Sequence, residues 1–383
     1  MRFNVFVGEV MKRFFLCALC IALLSGCGIL PKRSYVVVEP HQEDYQKSPD
    51  SDTITVGSYG GLKNAILSLV EDGVKDGVIR AEGYQGNLDE DLSQAVYEVT
   101  QVTPLGVFAV EHMTYDYSRI VSYYEIHLNT TFRRSTEELA SIVYVTNADA
   151  VRENIMEAME RYAPVLILQI GDYEFLDIAD VVEEVYKEHP EFALELPGTA
   201  VELYPDSGTQ RIMEIKFSYD YDSEFLLECQ EALQEQMAYI SRIYGSAHSD
   251  MTNAKRLYKR LGRNAVILEE AQRPLDNSAY GILIEGAATS YGFAQTYLCL
   301  LNNCEIEGQL IAGQKNGVQH YWCLVRLDGE SYYVDPSVST QDQDAIFFLL
   351  GSQELLEYGY QTFHMPELPE VVLPDYLKPM GLE

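Results

Sequence analysis

The chain has 383 residues, enough for two or three packed domains rather than one. Apolar residues make up 47 % and charged residues 22 %, the balance of a folded soluble protein, which argues against disorder outside the ends. Against 59 acidic residues stand 27 basic ones, and the net charge of −32 repels phosphate backbones, so nucleic acid is not expected as a partner. The acidity reads as a solubility device; the sharper alternative is attraction of cationic peptides or Ca²⁺. No EF-hand-like run of spaced acids around a glycine occurs.

At the N-terminus, Lys12-Arg13 precede an apolar run from Phe14 to Leu24, which ends in Leu24-Ser25-Gly26-Cys27. A basic end, a short apolar stretch and small residues before a cut describe a secretory signal over 1–27, with Met11 as an alternative start. As a helix the run spans about 16 Å, short of the roughly 30 Å hydrocarbon core. The tetrapeptide resembles the bacterial lipobox. That resemblance implies that the Cys27 thiol is acylated and anchors the chain to the extracytoplasmic face of a bacterial membrane. An ordinary cleaved signal with an incidental Cys27 is the alternative. Residues 28–52 are polar, with Pro31, Pro40 and Pro49, and read as a flexible tether spanning about 25–30 Å.

Two segments then look alike at an offset of 89 residues: Ile66 with Ile155, Glu71 with Glu160, Tyr84 with Tyr173, Asp91 with Asp180, Val96-Tyr97 with Val185-Tyr186. Each reads as helix, short strand, turn, helix, then strands. Helices are expected over Leu62–Glu71 and Val151–Arg161, and strands over Gly77–Ala81 and Val165–Ile170, the latter apolar enough to be buried. Alternation at Tyr123–Leu128 and Ile212–Phe217 predicts strands with one wet face. The expectation is an α+β protein with two small repeated modules, 53–146 and 147–221, ahead of a third domain over 222–383. Shared periodicity without duplication is the other explanation. No catalytic constellation appears in either copy, so binding or spacing is the default role.

Helices are expected over Ser223–Tyr244 and Asn253–Leu261. Ser290 then opens an apolar-striped helix with Phe293, Tyr297, Leu300 and Leu301, so backbone N–H groups and the positive dipole end face it. Such a place lowers a thiol's pKa and steadies an oxyanion. His320 and Asp335 lie on two strands joined through Asp328-Gly329, a hairpin signal. A two-residue loop sets Asp335 opposite Trp322 and on the face that carries His320, diagonal neighbours. A carboxylate there fixes the imidazole's tautomer.

Three ordered motifs carry a family resemblance. Tyr280-Gly281, Glu285-Gly286 and Ser290-Tyr291-Gly292-Phe293-Ala294 match a Tyr-Gly, Glu-Gly, Cys-x-Gly-Tyr-Ala pattern. His320-Tyr321-Trp322 matches His-Ala-Trp-Asn, and Tyr332-Tyr333-Val334-Asp335-Pro336-Ser337 matches Trp-Tyr-x-Val-Asp-Pro-Thr. Residues 250–365 thus resemble the bacterial transglutaminase-like (papain-type) domains. The resemblance implies a nucleophile-bearing helix packed on an antiparallel sheet, catalytic positions at Ser290, His320 and Asp335, substrate contacts at Tyr291 and Trp322, and the outer surface of a Gram-positive cell. It implies no cofactor. Serine stands where the family has its nucleophilic cysteine, Cys323 where it has Asn, and Val338 where it has Trp.

A serine hydroxyl does not ionise as a thiol does and must lose its proton during attack. Ser290 therefore has two readings: a helix N-cap in a degenerate site that binds a peptide or cell-wall ligand, or the nucleophile of a working Ser290–His320–Asp335 triad. Cys229, Cys299, Cys304 and Cys323 form no CxxC pair and seven histidines are scattered, so no metal site or disulfide scaffold is expected. The 28 tyrosines either fill strands and cores or stack on wall sugars. Prolines from Pro366 onward make the tail an extended strap.

Overall fold

The computed structural model describes residues 46–47, 53–172, 176–247, 249–263, 265–340, 346–363 and 369–373. The leader with Cys27, nearly all of the tether, Tyr173 of the second copy and most of the proline-rich tail lie outside these residues. No helix among the described residues is long and apolar enough to cross a membrane.

A short pair, β1 (Gln46–Lys47) and β2 (Ile54–Val56), begins the first sheet. Helix α1 (Tyr59–Glu71) carries the chain to β3 (Asp76–Glu82), parallel to β2. The helix starts earlier than its apolar spacing alone predicts, because Ser58 accepts a hydrogen bond from the Gly61 N–H (3.2 Å) and caps it. Then come α2 (Leu88–Gln101), the one-turn α3 (Pro104–Ala109) and the hairpin β4 (Val110–Ile120) and β5 (Tyr123–Phe132). The sheet order is β1-β2-β3-β5-β4. Leu62, Ile66, Leu92, Ile79 and Ile126 meet in one buried cluster between the helices and one face of the sheet.

A capping box between Ser135 and Glu138 starts α4 (Thr136–Ala140), and β6 (Val143–Val145) follows. Helix α5 (Ala148–Glu160), capped by the Asn147 side chain on the Ala150 N–H (2.8 Å), leads to β7 (Val165–Ile170). After α6 (Ile178–Glu188), β8 (Gly198–Tyr204) and β9 (Arg211–Ser218) complete a sheet of order β6-β7-β9-β8. Its strand order and directions are those of β2-β3-β5-β4.

Strand β7 is apolar on both sides because both sides are covered. Leu166, Leu168 and Ile170 enter the second cluster, while Ile167 enters the first, together with Ile212 of β9. Helix α3 supplies that cover: Phe108 meets Tyr204 edge-on (ring centroids 5.3 Å), and Arg134 lies over the Phe108 ring and pairs with the buried Glu214 (2.6 Å).

The third part holds α7 (Ser223–Tyr244) and α8 (Asp250–Leu261), then a two-stranded parallel ladder of β10 (Val266–Leu268) and β11 (Ala287–Thr289). Helix α9 (Ser290–Asn302) follows, then β12 (Gly308–Lys315), β13 (Val318–Leu327), β14 (Glu330–Val334), α10 (Ser352–Glu357) and β15 (Tyr360–Thr362). These four strands form an antiparallel sheet of order β14-β13-β12-β15. Phe293, Tyr297, Leu300 and Leu301 of α9 are buried with Ile311, Trp322 and Val325 of that sheet. The molecule is therefore mixed helix and sheet of the α+β kind.

Candidate active site

Two turns bring the polar cluster together. Asp328-Gly329 joins β13 to β14 with positive φ at both residues (52° and 92°), the geometry of a two-residue hairpin loop. Cys323 then pairs with Val334, and one step further Asp335 falls opposite Trp322. His320 Nε2 lies 2.8 Å from Asp335 Oδ2. The second turn, Asn316-Gly317 (φ 54° and 82°), joins β12 to β13 and pairs Lys315 with Val318 and Gly313 with His320. It delivers Lys315 Nζ to within 3.2 Å of the same Oδ2.

Asp335 is fully buried, and five hydrogen bonds satisfy it. Oδ2 accepts from His320 Nε2, Lys315 Nζ and the Tyr360 hydroxyl (2.5 Å); Oδ1 accepts from the Ser337 N–H (3.0 Å) and O–H (2.6 Å). Burial alone pushes a carboxyl's pKa up. Here the His320 hydrogen bond, the charges of His320 and Lys315 and the Ser337 contact outweigh it, and Asp335 is held well below the usual carboxylate range. Burial, and then the Asp335 charge, push the Tyr360 phenol far up, so it stays a donor. The contact with Asp335 fixes one ring nitrogen of His320 and leaves Nδ1 facing away from the carboxylate.

Trp322 stacks on the His320 ring (6.4 Å, 26°) and meets Tyr360 edge-on (5.2 Å). Its position corrects the expectation of a substrate contact. The indole has no exposed area, because its far edge fills the space above Gly313, where a Cβ would come within 2.5 Å of Cη2. Trp322 thus supports the imidazole from beneath.

Ser290 is the first residue of α9 and 8 % exposed. Its expected capping role falls instead to Thr289, whose hydroxyl oxygen accepts from the Gly292 N–H (3.4 Å) and whose proton goes to Asn277 Oδ1 (2.6 Å). Ser290 Oγ accepts from the Tyr321 N–H (3.3 Å), the peptide next to His320. No hydrogen bond joins Ser290 to His320. Two thiols of this part are held protonated: burial raises Cys323 well above its ordinary value, and burial with Glu191 pushes Cys299 up to about 12.

A cavity of about 570 Å³ opens at Ser290, bounded by Asn277, Tyr291, Gln319 and Tyr321 and, across the cleft, by Tyr186 of α6. Tyr291 is half-buried, lies flat against Tyr186 (6.2 Å, 7°) and meets Tyr321 edge-on (5.1 Å). The residues missed from sequence are Lys315, Tyr360, Ser337, Asn277 and Tyr186. Lys315 had a local signal in the Asn316-Gly317 turn, and Ser337 had one in its place two residues after Asp335. No group of three or more His, Cys, Asp or Glu among the described residues is placed to hold a metal ion.

No protein-family model matches the chain, and no curated protein matches it. Among solved structures it is similar to a TGase, at 12 % identity and a TM-score of 0.26 over 52 % of this chain and 59 % of that one. It is similar to a candidate cysteine protease from Cytophaga hutchinsonii (14 % identity, TM-score 0.25, 37 % of this chain and 62 % of that one). A candidate protease from Parabacteroides distasonis is also similar (9 % identity, TM-score 0.22, 67 % and 39 %). The chain spans about six-tenths of the length of the first two of these proteins, and likenesses this remote assign no activity.

Proposed function

We propose that this chain is a lipid-anchored bacterial surface protein whose C-terminal part is a transglutaminase-like (papain-type) domain, degenerate at its nucleophile and used to bind a peptide or cell-wall ligand. Cys27 is the acylated anchor, and the two α+β units ahead of the domain are a duplicated pair that carries it. The observation that supports this reading is the state of Ser290. Its oxygen is engaged by the Tyr321 N–H and has no hydrogen bond to His320, so the relay that would take its proton is not assembled. The cleft, the aromatic ridge and the helix N-terminus remain available to a ligand.

Matched assays of wild type and Ser290→Cys, for peptide amide cleavage and for amine incorporation, test it. Turnover by the cysteine variant alone is the expected result. Turnover by wild type that His320→Ala abolishes would overturn the proposal.

One observation favours a second reading, an acyl-transfer enzyme using Ser290, His320 and Asp335. A serine site needs an imidazole oriented by a carboxylate to accept the hydroxyl proton, and Asp335 holds His320 Nε2 at 2.8 Å. A fluorophosphonate adduct on Ser290 is its expected signature; no labelling from about pH 6 to about pH 9 would dismiss it.

A further inference from the structure

We propose that the tip of the β4–β5 hairpin, Ile120-Val121, is a second membrane contact, seated at the headgroup level of the phospholipid bilayer that holds the Cys27 anchor. This rests on the lipid-anchor reading above and adds to it a protein surface that faces the lipid.

The turn comes first. Val121 and Ser122 alone join β4 to β5, and Val121 takes φ 41°, a left-handed conformation where a two-residue hairpin loop prefers glycine or asparagine. A β-branched side chain is disfavoured there by its own backbone, so local folding gives no reason for it. Packing gives none either, because Val121 is 94 % exposed and Ile120 beside it is exposed as well. The corresponding connection of the second sheet, between β8 and β9, is Pro205-Asp206-Ser207-Gly208-Thr209-Gln210, with no large aliphatic side chain. Water accepts a polar loop at this place in the fold. Two exposed aliphatic residues at the first tip suit an apolar surface instead.

The residues behind the tip fit a headgroup layer. Tyr123 and Tyr124 follow the turn and point to opposite faces of the sheet. Each carries an arginine: Arg80 lies over Tyr123 (4.2 Å) and Arg119 over Tyr124 (5.8 Å). No ion pair among the described residues includes either arginine, and Arg80 Nε is buried without an acceptor. Phenol rings and guanidinium groups gather where hydrocarbon gives way to phosphate. Of the acids nearby, Asp89 is taken by the Tyr117 hydroxyl (3.1 Å) and Glu125 by His127 (3.2 Å), while Glu82 is exposed. A chain of net charge −32 is not drawn to phosphate from afar, so the contact depends on the anchor to bring the tip there.

The anchor acts at the same end of the sheet. Gln46 pairs with Thr55 and so stands level with Arg80, Glu125 and Ser118. Strand β1 then runs away from the hairpin tip, so the chain arrives at Gln46 from the end at which Val121 projects. Entry point and tip are three to four strands apart, about 15–20 Å. From Gly28 to Gln46 the chain spans at most about 65 Å, which keeps this end near the bilayer.

Tryptophan fluorescence tests the inference, using the full chain expressed with its leader and mixed into phosphatidylcholine vesicles, with or without bromine on the upper acyl chains. Trp322, the single native tryptophan, is fully buried and gives a constant background. Tyr123→Trp sets a probe behind the tip, and bromine is expected to remove about half or more of its emission. Ser207→Trp, in the corresponding polar connection, should keep its emission. Adding Ile120→Ser/Val121→Gly to the Tyr123→Trp chain should restore the lost emission; glycine suits the positive φ, so the turn survives. Incorporation without quenching of Tyr123→Trp, quenching that survives the double change, or equal quenching of Ser207→Trp overturns the tip contact and leaves the anchor standing. A chain that does not enter the vesicles overturns both. Self-association that the double change abolishes, with no quenching, would assign the tip to a second copy instead.

Discussion

Burying a carboxylate costs several kcal/mol unless its lone pairs are met, and at Asp335 five donors meet two oxygens. Replacing it with asparagine leaves Lys315 without its counter-charge and His320 without its carboxylate partner in a mostly buried place. Asp335→Asn is expected to cost about 3 kcal/mol by urea denaturation at neutral pH. The pH dependence has a definite sign. The folded-state pKa lies below the unfolded one, so this contribution is complete above the unfolded carboxyl range, near about pH 4. It is lost as pH falls through the folded value. Wild-type urea midpoints should therefore drop from about pH 5 to about pH 3, and the variant should show a shallower drop. Equal slopes in the two proteins would count against the pairing. His320 and Asp335 were legible as neighbours because one turn, Asp328-Gly329, sets their parity. Tyr360 was not, because it lies 25 residues from Asp335 and no turn or periodic pattern links the two.

Helix α9 depends on a cap one residue before the expected one. Thr289→Ala should destabilise the protein by about 1 kcal/mol, and Ser290→Ala by clearly less, in thermal melts. The reverse order would return the cap to Ser290. The β12–β15 seam makes a second element-scale prediction. A Cβ at Gly313 would come within 2.2 Å of the Gln361 carbonyl oxygen and 2.5 Å of Trp322 Cη2. Gly313→Ala is thus expected to cost about 1–3 kcal/mol and to perturb the His320 support, read as lower stability with altered Trp322 fluorescence. A silent substitution would count against close packing at the β12–β15 seam. The Asn316-Gly317 turn is as strong a hairpin signal as Asp328-Gly329. Applying the same parity argument to it puts Lys315 diagonally across from His320, so the lysine of the cluster was within reach of sequence reasoning.

Across the whole molecule each part lends side chains to the next. Helix α3 of the first unit covers the outer face of the second sheet, and Tyr162 and Leu194 of the second unit enter the third cluster. Arg134 and Glu214 form the buried pair at the first of these borders, with Glu214 almost fully enclosed. Arg134→Met is expected to cost about 3 kcal/mol because the buried Glu214 loses both hydrogen bonds from the guanidinium and keeps only the Tyr204 hydroxyl (3.3 Å) and the more distant Lys216 (3.6 Å). The double change Arg134→Met/Glu214→Leu should recover much of that loss in urea titrations. Additive losses would show that the pair is not coupled across the border.

The sequence by itself determined the local structure: the helices with their apolar stripes, the buried run of β7, and the hairpin before Asp335. These are properties of a few consecutive residues, where capping, period and turn chemistry act. Only the tertiary structure decided that Trp322 lies under His320 rather than against a ligand, that Lys315 and Tyr360 share the Asp335 oxygen, and that α6 walls the cleft. The last contact joins Gln295 to Lys187 across 108 residues of chain. No local period records which face meets which at that separation; burial of apolar area and pairing of buried polar groups choose it when the whole chain packs.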